Sequence, residues 1–99
     1  MKRESDRYYA ALELLKNYRH ADEEQAASIQ SALEIMRNHH KHGEMYYWIL
    51  YYSFLSPKAC DNDQVVLAIL QAHNFGVTIR NFYERRRAAV YVFAESYLI

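Results

Sequence analysis

At 99 residues the chain holds one small domain, with no room for a second core. Twelve basic and twelve acidic side chains cancel to a formal net charge of zero. That counts against a strongly basic nucleic-acid-binding protein, whose domain pI would lie above roughly 9, so any such contact has to come from a local patch.

The lone cysteine, Cys60, excludes an internal disulfide and fits a reducing compartment. The opening stretch MKRESDRYYAAL has charges but no apolar core of an export signal. The longest apolar run, MYYWILYYSFL over 45–55, is far short of the ~18 residues of a membrane span. A cytoplasmic location, with no membrane partner, is expected. Two glycines and one proline leave few places to turn a strand. The composition therefore predicts an all-α fold, a small bundle of four to five helices over 1–99, with an N-terminal helical segment (1–43) and a second part (44–99).

In chain order, Tyr8, Ala11, Leu12, Leu15 and Tyr18 recur at helical spacing over 5–20, with Ser5 or Asp6 placed to cap the start. Asp22 and Gln25 stand at capping-box spacing and restart a helix whose face carries Ile29, Leu33 and Met36. Whether 5–42 is one long helix or two with a kink near His20–Asp22 stays open at this level. The helix is expected to run out through NHHKHG, with Gly43 as a left-handed stop. The stretch 44–55 is apolar almost all round, which predicts a buried central helix ended by Pro57. Asp61 and Gln64 suggest the next cap, and Val65, Val66, Ile69 and Leu70 the stripe of a helix that stops near His73-Asn74. The last helix is expected from about Thr78 to Tyr97, with Ile79, Phe82, Ala89, Val90, Phe93 and Tyr97 on its apolar side.

The stretch FGVTIRNFYERRRAA, 75–89, has the order that a helix-turn-helix requires. Gly76 tolerates the turn's backbone, Phe75 and Val77 plug the angle between the helices, and Ala72 is small where the helices approach. Thr78 caps the second helix, and Phe82 points back into the core. The second helix then offers Thr78, Arg80, Asn81 and Glu84 to base edges, since arginine pairs bidentately with guanine and asparagine with adenine. Arg85, Arg86 and Arg87 suit phosphates. Over 76–99 four arginines face Glu84 and Glu95, a local balance of +2.

The run FGVTIRNFYERRRAAVYVFAE resembles the end of the sigma-factor region-4-like domain of ArpU-type and RinA-type phage late transcription regulators. Phe75, Gly76, Val77, Thr78, Phe82, Tyr83, Arg86 and Ala89 stand at the positions of that family's pattern, while Asn81 replaces its usual serine or threonine. Upstream, residues 32–57 resemble the preceding helix pair, although Tyr52-Ser53-Phe54-Leu55 lacks the arginine found there. The resemblance implies a long C-terminal recognition helix and sequence-specific binding to double-stranded DNA. It further implies control of late genes in a phage or prophage, alongside RNA polymerase.

His39, His40 and His42 complete no zinc ligand set, and a cationic cluster is what a helix C-terminus selects. No metal or cofactor is expected. The ten tyrosines, several of them in the helix over 45–55, suit a core or a homodimer seam better than a base-stacking platform, which would carry interleaved basic residues. No phosphate loop, zinc-protease motif or activated nucleophile is present, so no enzyme activity is expected. The sequence thus predicts a DNA-binding transcriptional regulator. Its rival is a small helical protein–protein interaction module, such as a phage antagonist of a host complex, which the zero net charge favours.

Overall fold

The computed structural model describes residues 4–57 and 62–97. Cys60 and the expected cap Asp61 lie outside the described residues. Five α-helices make up the fold, and no strand occurs among the described residues. They are α1 (Glu4–Lys16), α2 (Glu23–His39), α3 (Gly43–Leu50), α4 (Asp63–Ala72) and α5 (Phe82–Ser96). A 3-10 turn at Tyr18–His20 follows α1, and α3 runs directly into a π-helical turn at Tyr51–Leu55.

Residues 5–42 form two helices. Asn17 ends the first by turning its side-chain amide onto the Glu13 carbonyl at 3.0 Å. Ala21 and Asp22 then adopt extended backbone, and the Asp22 carboxylate accepts the Gln25 amide at 2.7 Å to open α2. The break is braced from the side, because Gln30 donates to the Tyr18 hydroxyl at 2.8 Å. Ser5 and Asp6 both lie inside α1 rather than at its cap.

The junction of α2 and α3 departs from expectation at Gly43. Helix α2 stops at His40, whose extended backbone still donates to the Met36 carbonyl at 3.0 Å. Among the described residues Gly76 is the only glycine in the left-handed region, so Gly43 is not the expected left-handed stop. It is instead the buried first residue of α3. A β-carbon there would fall 2.6 Å from the Arg37 carbonyl oxygen and run into that of Met36 as well. The missing side chain lets α3 start against the last turn of α2.

From there α3 buries Met45, Tyr46, Tyr47, Ile49 and Leu50. Trp48, Tyr51, Tyr52 and Phe54 remain half-exposed, so one face of the expected all-round apolar helix reaches the surface. The Ser56 amide reaches back to the Tyr51 carbonyl at 2.8 Å, the long span of a π-turn, and Pro57 follows. The cap of α4 is Asn62, which accepts the Gln64 and Val65 amides at 3.0 and 3.3 Å. The stripe of α4 is narrower than its composition suggests: Val66 and Leu70 are fully buried, whereas Val65 faces out.

Helix α5 occupies the middle. It packs on α1, α2 and α3, and its Ala89, Val90, Phe93 and Ala94 are sealed from solvent. Leu15 of α1, Ile29, Leu33 and Met36 of α2, and Ile49 and Leu50 of α3 close the core around it. Burying each large side chain contributes about 1.5–3 kcal/mol, which is how so short a chain offsets its loss of conformational freedom.

The close approach at Gly43 is directly testable. Gly43→Ala should lower the unfolding free energy by about 2 kcal/mol in a urea titration, because two backbone carbonyls have to move. A loss below about 0.5 kcal/mol, within the range of an ordinary surface substitution, would contradict the close-approach role.

Candidate nucleic-acid interface

The connection between α4 and α5 is built from two left-handed residues and one reciprocal cap. Helix α4 ends as the His73 amide is shared between the Ile69 and Leu70 carbonyls, at 3.2 and 3.1 Å. Asn74 (φ 60°) and Gly76 (φ 74°) then reverse the chain. Asparagine tolerates this region through its short polar side chain and glycine through having none.

Val77 and Phe82 are both 2% exposed and wedge the corner shut, as expected of them. Phe75 is half-buried and stacks on the His73 ring at 5.6 Å. Ala72, by contrast, is exposed and does not lie between the helices. Helix α4 presents Val66 and Leu70 inward, and a residue two places after Leu70 points to the opposite side. The connection from His73 to Asn81, nine residues, is also much longer than the three or four residues of a standard helix-turn-helix.

Thr78 and Asn81 close the turn by exchanging hydrogen bonds. The Asn81 amide N–H donates to the Thr78 hydroxyl at 3.3 Å, and the Thr78 N–H donates to the Asn81 side-chain oxygen at 2.8 Å. The exchange has the pattern of a capping box but closes the turn: α5 begins at Phe82, after Asn81 and with no side-chain cap, so Thr78 does not cap the helix as expected. The Asn81 side-chain nitrogen also donates to the Gly76 carbonyl at 3.3 Å. The side chain expected to read adenine therefore has both ends engaged in holding the turn.

Arg86 is likewise engaged. Its guanidinium grips the Asp63 carboxylate with two bonds, at 2.9 and 3.4 Å, and the Tyr83 hydroxyl donates to the same carboxylate at 3.1 Å. The guanidinium carbon also lies 4.8 Å from the centre of the Phe82 ring. This contact ties the first residue of α4 to the second turn of α5, so the expected phosphate ligand is a brace. The Arg86 hydrogen bonds, with its charge and the Tyr83 hydroxyl adding to them, hold the Asp63 carboxyl below its ordinary range against partial desolvation.

The residues left outward are Thr78, Ile79, Arg80, Tyr83, Glu84 and Arg87, all exposed, with Arg85 half-buried. Helix α5 starts at Phe82 and not near Thr78 as expected, so Arg80 lies in the turn before it, while Glu84 and Arg87, three places apart, share a face of the helix. Among the described residues none of Arg80, Arg85 and Arg87 makes an ion pair. The Arg87 guanidinium carbon lies 5.3 Å from the centre of the Tyr8 ring on α1.

A second feature was not singled out from the sequence. Trp48 stacks on Tyr52 at 5.6 Å and on His73 at 5.9 Å, and His73 continues the row to Phe75. This aromatic row ends at the turn itself. Trp48 and Tyr52 stand four places apart, which was its one trace in the sequence. Arg37 borders it, above the Tyr47 ring at 4.5 Å, and bonds Glu44 at 2.8 and 3.0 Å. The Arg37 guanidinium and the Trp48 indole N–H, both hydrogen-bonded to Glu44, lower its carboxyl pKa. At the end of α2, the His40 ring nitrogen accepts the His42 backbone N–H at 3.0 Å, and both rings lie beside Tyr46. Among the described residues no group of three or more metal-ligating side chains comes together, and no helix is long and apolar enough to cross a membrane.

In comparisons with known proteins, no family model, curated protein or solved structure matches the chain.

The brace between α4 and α5 carries a pH signature. A carboxyl whose folded pKa is depressed contributes stability above its unfolded pKa of ~3.9, and loses it as the pH falls through the folded value. Asp63→Asn should therefore lower stability by about 0.5–1 kcal/mol at pH 7, a modest figure because the pair is partly exposed. The gap between variant and parent should close by about pH 2 in urea titrations. A gap that stayed constant with pH would mean that the ion pair is not what Asp63 contributes.

Proposed function

We propose that this chain is a sequence-specific DNA-binding regulator of transcription, phage or prophage encoded, that reads duplex DNA with the front of α5. One observation carries the reading: the turn at Gly76 and its Thr78–Asn81 hydrogen bonds hold the stretch that leads into α5 in one exposed conformation. Arg80 at the end of that turn and Glu84 and Arg87 on α5 are all exposed. In this reading Arg80 pairs with guanine in the major groove, with Thr78 and Glu84 contributing further base contacts. Arg85 and Arg87 supply phosphate contacts. Asn81 and Arg86 belong to the frame that holds these residues and leave the set of direct contacts.

A second reading, a helical module that binds another protein, is favoured by the aromatic row Trp48–Tyr52–His73–Phe75. Half-exposed tryptophan and tyrosine are the side chains that anchor protein interfaces. The same patch is what remains for a homodimer seam, since most of α3 is already buried within one chain.

Retention of random duplex fragments, sequenced at two salt concentrations, separates the readings. The DNA reading predicts enrichment of one motif, with affinity falling as salt rises. Arg80→Ala should relax the base preference, and Arg87→Ala should weaken all sequences and reduce the salt slope by about 1. Arg86→Ala should lower thermal stability while leaving the preferred motif unchanged. No retention at low salt would sink the DNA reading and leave the protein-binding one.

A further inference from the structure

A half-open cleft of about 580 Å3 lies between α1, the 3-10 turn, the π-turn, the first residue of α4 and the stretch 86–90 of α5. Its volume is within the roughly 300–1,000 Å3 of small-molecule sites. Lys16, Arg19, His20 and Arg86 line it together with a single carboxylate, Asp63. Since Arg86 already pairs with Asp63, the charge of Lys16 and Arg19 is uncompensated by that carboxylate. Arg19 is held in position by a neutral acceptor, the Ser56 carbonyl at 3.1 Å, and so keeps its full charge.

The π-turn adds the decisive group. Ser53 is 3% exposed and lines the cleft, yet its hydroxyl has no hydrogen-bond partner; it is the one such buried side-chain group among the described residues. A helical serine ordinarily satisfies itself on the carbonyl four residues back. Leaving a buried hydroxyl unpaired costs about as much as losing a hydrogen bond, and π-turns recur at functional sites. The other walls are apolar: Tyr8, Leu12, Phe54 and Val90.

We infer that this cleft binds a small organic phosphate. Lys16 and Arg19 face the phosphate group, the Ser53 hydroxyl donates to it, and the apolar walls receive the body of the molecule. A phosphate monoester suits the site better than a carboxylate, because it brings nearly two negative charges and three strong acceptor oxygens to two free cations and a donor. Arg87 lies over the Tyr8 wall of the cleft, but none of Arg80, Glu84 and Arg87 lines it, so the assignment does not rest on the DNA reading.

Phenyl phosphate is the direct probe, titrated into the 15N-labelled protein and followed by amide shifts and by melting temperature. Saturable binding is expected, with the largest shifts around Arg19, Ser53 and Arg86, and with benzoate at least about tenfold weaker. Arg19→Ala should weaken phenyl phosphate by about tenfold, while Arg80→Ala should leave it unchanged. Ser53→Ala should act with opposite signs in the two readouts. It should raise the melting temperature of the free protein by about 4 °C and weaken phenyl phosphate several-fold. No saturation by about 10 mM, a concentration far above that of a specific site, would overturn the proposal. So would equal binding of benzoate, or binding indifferent to both Arg19→Ala and Ser53→Ala. Displacement of phenyl phosphate by duplex DNA would assign the cleft to the nucleic-acid backbone and overturn the small-molecule assignment.

Discussion

The fold depends on the burial of the back half of α5. Ala89, Val90, Phe93 and Ala94 leave solvent entirely and meet α1, α2 and α3 on different sides. With that half fixed, the axis of the helix is fixed too, and its front half has to emerge from the core at the turn. Whatever residues 82–87 present to a partner is therefore presented from a fixed helix, and residues 78–81 from the hydrogen-bonded turn that leads into it. Alanine at 89 and 94 has a role here, because small side chains let neighbouring helices come close to the axis.

Holding the front of α5 requires polar locks, and each lock removes a side chain from recognition. The Thr78–Asn81 box engages the one asparagine of the exposed segment. The Asp63 brace engages Arg86 and the hydroxyl of Tyr83. In a chain with no net charge this matters, because the positive field available to a phosphate backbone is then carried by Arg80, Arg85 and Arg87 against Glu84. Geometry and charge thus pull in opposite directions: the turn aims the helix, and the locks reduce what it can hold. The aromatic row that meets the turn from α3 and α4 is the structural basis of the rival reading, and the two surfaces share Phe75 as a border.

Much of the architecture was legible in the chain. The stripe of Ile29, Leu33 and Met36, the Asp22 cap, the stop at Pro57 and the left-handed Gly76 follow from periodicity and from local backbone chemistry, which one stretch of sequence contains in full. What failed was tertiary. A glycine after a helix looks the same whether it supplies a left-handed stop or a close approach, and only the carbonyls of Met36 and Arg37 show which one Gly43 is. Arg86 and Asn81 looked free because their partners depend on where α4 begins in space and on how the turn folds back. Ala72 was placed by motif position, but the inward stripe of α4 is set by Val66 and Leu70. Ser53 gave no signal at all, since a π-turn and an unpaired hydroxyl are not written in local sequence.

We propose that residues 78–87, and not the aromatic row, meet a partner, and that this partner is duplex DNA. Titrating the 15N-labelled protein with a pool of random-sequence duplex at low salt, and mapping the amide shifts, tests both halves at once. The account predicts perturbations concentrated on residues 78–87, with the amides of Trp48 and Tyr52 undisturbed. Perturbations centred on Trp48, Tyr52 and His73, or none anywhere, would contradict it.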